Sequence, residues 1–143
     1  MKALLLGMIL CVLHGLYTVQ AQLPDPVAQG LHAVEAGDYD RAIDEWTKAW
    51  RPSAATDSAR TRLKTSLANL ADRPSGWELI RDEAIAKTVH RYYVVVFAER
   101  DPLYLVLEAY HRPDGVWTVE YIVFNTSLNK LPPLDVAQFA REP

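Results

Sequence analysis

Four titratable side chains stand where chemistry would need them: His90, His111, Glu108 and Glu120. All four fall in the strand-rich second half of the chain. His90 and His111 lie on neighbouring predicted strands, so they can approach one another. Neither is spaced i, i+4 from another histidine or set beside a glutamate in a metalloprotease pattern, and the same holds for His32. A strand histidine at the surface, or partly buried, is the expected reading, with no metal. Glu108 sits in an apolar strand and Glu120 in the next. A turn at Asp114 brings them near each other. A catalytic carboxylate needs burial or a neighbouring charge to move its pKa toward working pH. Glu108 shares its strand face with Tyr104, Val106 and Tyr110, and the leucines take the other face. It is therefore expected at solvent, paired with Arg91 or Arg112. No catalytic residue is assigned on this pattern. Nothing resembles a nucleophile elbow or a glycine-rich phosphate cradle, which disfavours a conventional hydrolase or nucleotide enzyme. No cofactor is implied.

Aromatic side chains are the stronger signal. Tyr92, Tyr93, Phe97, Tyr104, Tyr110, Trp117, Tyr121 and Phe124 crowd the strands. Alternation places Tyr92, Tyr104 and Tyr110 on the outer face, an amphipathic surface suited to protein contacts or dimerisation. Cross-strand pairing that only stabilises the sheet is the competing reading. Tyr39, Trp46 and Trp50 form a second candidate surface on a helical hairpin. Asn125-Thr126-Ser127 fits a glycosylation acceptor, which matters only in a eukaryotic secretory pathway.

These residues need elements to hold them. Residues 27–36 read as a helix stopped at Gly37, where a left-handed residue closes the helix. Asp38 caps a second helix over 39–50, whose apolar positions Tyr39, Ala42, Ile43, Trp46, Ala49 and Trp50 share a face. A third helix runs from about Ser58 to Ala71. Trp77 to Lys87 reads as a short fourth, with Ile80, Ala84 and Ile85 inward. Strands follow over 88–99, 103–112 and 116–125. The last two are joined by a Pro113-Asp114-Gly115 turn. In the last strand Trp117, Val119, Tyr121 and Val123 alternate against Thr118, Glu120 and Ile122. The expected architecture is α+β: N-terminal helices packed on a curved antiparallel sheet of three or more strands, with room for an apolar pocket between the layers.

The first 21 residues have the layout of a secretory signal peptide. Lys2 opens it, Ala3 to Leu13 is too short to span a bilayer, and Val19-Gln20-Ala21 offers a cleavage site. A single domain over 22–128 and a C-terminal tail over 129–143 are expected to follow. In the tail only Val136 and Phe139 offer docking residues. The 143-residue chain has a formal charge of −3, which becomes −4 without Lys2. A mildly acidic chain with scattered basic residues lacks the footprint of a nucleic-acid binder. The only cysteine, Cys11, lies in the leader, so the remainder has neither disulfide nor thiol chemistry. The protein is expected to be secreted or periplasmic, with no membrane span.

Two resemblances follow from these residues. Gly30 through Ala49 resembles one tetratricopeptide repeat. Gly30 is the small residue of its first helix, Gly37-Asp38-Tyr39-Asp40 is its turn, and Ala42, Trp46 and Ala49 are its small–aromatic–small pattern. Pro26 and Ala33 depart from it, aromatics being usual there, and the closing proline comes early at Pro52. The larger stretch resembles the cystatin-like, nuclear-transport-factor-like α+β domains of small secreted bacterial proteins. It does so through Ala36 to Asp40, Arg91-Tyr92-Tyr93-Val94-Val95 and Asp114-Gly115-Val116-Trp117-Thr118-Val119. That resemblance implies a fold shared by isomerases, dehydratases and many non-catalytic binding domains. The expected function is a non-catalytic binding domain for a protein partner, itself or a small apolar ligand. The alternatives are an acid–base isomerase or dehydratase with a sheet–helix pocket, and a tetratricopeptide-type adaptor hairpin.

Overall fold

A computed structural model describes residues 22–131. The expected leader, its cleavage site at Ala21 and the tail residues Val136 and Phe139 lie outside them. Three helices come first: α1 (Asp25–Glu35), α2 (Tyr39–Thr47) and α3 (Ala54–Leu70). Four strands follow: β1 (Pro74–Ala86), β2 (Val89–Ala98), β3 (Leu103–His111) and β4 (Trp117–Asn125). They form one antiparallel meander in the order β1-β2-β3-β4. The fold is α+β, helices on one face of an open sheet.

The helix ends follow from local chemistry. Gly37 takes φ +75°, and the Gly37 and Asp38 amides return to the carbonyls of Val34 and Ala33 at 2.9 Å each. Asp38 Oδ1 accepts from the Arg41 amide at 3.1 Å, capping α2. Ser53 Oγ does the same for Thr56 at 3.1 Å, which starts α3 four residues earlier than Ser58. In the last hairpin Gly115 takes φ +84°, and Asp114 Oδ1 accepts from the Val116 amide at 3.2 Å.

Residues 77–86 are strand, not helix, and Lys87 lies in the turn that follows. Over this stretch β1 pairs with β2, and its register slips at Ser75, Ile80 and Ile85. Each slip is a bulge, one extra residue that breaks the period of two. The bulged Ile80 and Ile85 are exposed rather than inward. Tertiary pairing overrides the helical spacing of the isolated segment.

The main core lies between the helices and one sheet face. Val27, Leu31, Val34, Ile43 and Trp46 meet Val94, Val96, Leu105, Leu107 and Val119 there, all essentially inaccessible. Trp46, placed by sequence on a binding surface, is instead the largest buried side chain. Its ring lies over Gly30, leaving no space for a Cβ, and its Nε1 donates to the Val27 carbonyl at 3.3 Å. The hairpin resemblance to a repeat therefore reflects this close helix crossing. Both hairpin helices pack on the sheet, and α3 adds Leu67 to the same core.

On the opposite face a smaller cluster joins Tyr93, Val106 and Leu131, flanked by Tyr104 and Val123. Leu131 follows a 3₁₀ turn over Leu128–Lys130 and is buried. Neither edge strand is a clean template for another chain. Three bulges interrupt β1, and on β4 the Val119 carbonyl accepts from Trp50 Nε1 at 2.8 Å.

Candidate functional site at the open end of the sheet

The β1–β2 hairpin places Asp82 and His90 on the helix-facing side of the sheet. Leu79 pairs with Val94 and points to the core. Beyond it, the Ile80 bulge shifts the register so that Asp82 pairs with Tyr92 and Ala84 with His90. Without that extra residue, alternation from Leu79 would bring Arg81 to this face instead. The bulge thus aims a carboxylate at the cavity.

There Asp82 Oδ1 lies 2.8 Å from His90 Nδ1, both side chains roughly one-third exposed. Aromatic rings fix the imidazole. Tyr92 stacks on it with centroids 6.1 Å apart, and Trp117 meets it edge-on at 5.7 Å. His111 stacks on Trp117 at 4.6 Å. The two histidines therefore do converge, with an indole contacting both. Among the described residues no group of three or more His, Cys, Asp or Glu is placed to hold a metal ion.

These groups border a cavity of about 630 Å³. Tyr92, His90 and Trp117 of the sheet line it together with Gln22, Leu23, Pro24, Asp25 and Pro26 at the entry to α1. Lys48 at the end of α2 lies at the rim but is paired with Glu45 Oε2 at 2.9 Å. The size falls within the range of small-molecule sites, and the lining is about equally polar and apolar, with Gln22, Asp25 and Asp82 beside Leu23, Val116 and Trp117. Burial pushes the Tyr92 hydroxyl up to about 12, the Asp82 charge adding to the effect. Tyr92 therefore stays protonated at any physiological pH.

The structure separates the sequence candidates. Tyr92 is not on the outer face. It is 3 % exposed, in the main core, and the neighbour that does face outward, Tyr93, is also buried. Tyr104 and Tyr110 do lie on the outer face, each half-buried. Tyr39 is a structural anchor, its hydroxyl donating to the Asp72 carbonyl at 3.0 Å. Trp50 pins the end of the hairpin to β4. Glu108 faces outward, where Arg91 donates to it at 2.9 Å. Glu120 does not oppose it: the register slips between Glu108 and Ala109, leaving Glu120 in a bulge and Tyr121 opposite Glu108. The same slip turns Ile122 and Phe124 toward the core and Tyr121 and Val123 outward.

Sequence reasoning missed Asp82 because the segment carrying it read as a helix. The Pro74-Ser75-Gly76 break ahead of it is the one local signal that a new element begins there.

Among the described residues no helix is long and apolar enough to cross a membrane. Comparison with family models, with curated proteins and with solved structures gives no match for this chain.

Proposed function

We propose that the chain is a non-catalytic binding domain of the cystatin-like, nuclear-transport-factor-like kind, acting outside the cytosol after cleavage near Ala21. Its ligand is a small, largely apolar molecule held in the cavity at the open end of the sheet. The observation that carries this reading is the cavity of about 630 Å³, bordered by Tyr92 and Trp117 and by the oriented pair His90 and Asp82 among other polar groups. An apolar body buried against such walls supplies affinity, and the polar pair supplies orientation.

Binding is favoured over turnover because the groups that contact the His90 ring, Tyr92 and Trp117, are aromatic, and Tyr92, held protonated, exchanges a proton poorly at neutral pH. A second reading, association of two copies or with a protein partner through the outer sheet face, is favoured by half-buried Tyr104 and Tyr110 beside exposed Tyr121.

Native mass spectrometry of the processed protein, purified gently from its own compartment, tests both. A monomer carrying a small-molecule adduct supports the cavity reading. A ligand-free dimer or a co-purified protein moves the function to the outer face. A bare monomer from several growth conditions counts against both.

A further inference from the structure

We propose that the outer face of the sheet is covered by the chain's own C-terminal segment, residues 132–143, held there through Val136 and Phe139. That cover is independent of the cavity, and it gives the outer face an occupant from the same chain. The helices pack on the opposite face, so side chains here should meet water. Two of them do not. Tyr93 is 1 % exposed and Val106 0 %, cross-strand partners on the two central strands. In their cluster the one residue from outside the strands is Leu131, with Tyr104 and Val123 at its flanks. A tyrosine buries more area than one leucine shields, so Leu131 is the start of a cover and not the whole of it.

The chain delivers the segment to this face. β4 ends at the sheet edge, and the 3₁₀ turn at Leu128–Lys130 then places Leu131 among Tyr93 and Val106 of the central strands. Twelve residues follow it, with Val136 and Phe139 five and eight positions on. At about 3.3 Å per extended residue these reach about 17 and 26 Å, against about 14 Å across four strands. A tether this short holds its end at millimolar effective concentration, which a free partner would have to outcompete. The polar end of the face is already paired within the sheet. Arg91 donates to Glu108 at 2.9 Å, and the Tyr93 hydroxyl donates to Glu83 at 3.3 Å. Half-buried Tyr104 and Val123 and exposed Tyr121 remain for apolar contact.

The test is a nitroxide label on Arg141→Cys, read in the amide NMR spectrum of the isotope-labelled protein. Cys11, the only native cysteine, leaves with the leader or is replaced by serine. The expected result is loss of the amide signals of Tyr104, Val106, Tyr121 and Val123, with those of α1 and α2 retained. Reduction of the label by ascorbate should return the lost signals. Adding Val136→Ser and Phe139→Ser should also return them, with the label still oxidised. A label that leaves the sheet signals intact, or removes those of α1 and α2 instead, would overturn the proposal. A loss that persists in the double-serine chain would overturn it too, because other residues would then hold the segment. In a mixed sample, nitroxide-bearing chains without isotope are added to isotope-labelled chains without nitroxide. Loss of the same signals there would make the occupant a second copy, which also overturns it. The label on Arg141→Cys alone decides the matter even where the double-serine chain is poorly soluble.

Discussion

Gly30→Ala should destabilise this protein, although the same change in the middle of an exposed helix stabilises one. Alanine gains about 1 kcal/mol over glycine in a helix interior. Here the new methyl would lie 2.6 Å from Trp46 Cδ1 and closer still to Nε1 and Cε2. The indole is rigid and 1 % exposed, so it has nowhere to swing. Overpacking of this kind costs about 1–3 kcal/mol. Displacing the ring also stretches the 3.3 Å bond from Nε1 to the Val27 carbonyl, worth about 1 kcal/mol. The balance is a loss of about 1–3 kcal/mol, or a fall in Tm of roughly 5–20 °C for a domain of this size. Urea titration followed by far-UV circular dichroism measures it. In a Trp46→Leu background the clash disappears, and the same substitution should be neutral or stabilising. A coupling energy of about 1.5–3 kcal/mol between the two positions is expected. Unchanged or increased stability of Gly30→Ala alone would refute the close crossing of α1 and α2.

Two further outcomes follow from the same contacts. Tyr92 is held protonated in the folded protein to about pH 12, against 10.0 for the free side chain, so its contribution is complete below pH 10 and is lost as pH rises toward 12. Between pH 9 and 12 the wild-type protein should therefore lose about 1–3 kcal/mol more stability than Tyr92→Phe, read by urea midpoints at each pH; parallel pH curves would place the hydroxyl in water. Trp50→Phe removes the 2.8 Å donor to the Val119 carbonyl and should cost about 1 kcal/mol, with faster amide exchange confined to β4 and the end of α2. Exchange unchanged there would mean the edge strand does not depend on this anchor.

The parts of the fold legible in the sequence are those governed by neighbours along the chain. Gly37, Asp38 and the Pro113-Asp114-Gly115 turn act through bonds within a few residues, and each behaves as its chemistry dictates. The faces of β3 were legible for the same reason, its alternation running unbroken from Leu103 to His111. The site was not legible, because it depends on the bulges. One extra residue at Ile80 brings Asp82 to the helix side, and one at Glu120 exchanges the faces of Tyr121 and Ile122. A bulge leaves no periodic trace: it is fixed by which residue of the partner strand lies opposite, a long-range fact. Tyr92 and Tyr93 show the cost of this. Both are aromatic and adjacent, and composition alone gives no reason to send one rather than the other to the main core. Register against Leu107 and Asp82 decides it. Regular alternation along the strands places mostly leucine, valine and aromatic side chains on the sheet face toward the helices. The additional strand, β1, bent by its bulge at Ile80, supplies the carboxylate that orients the imidazole beside it.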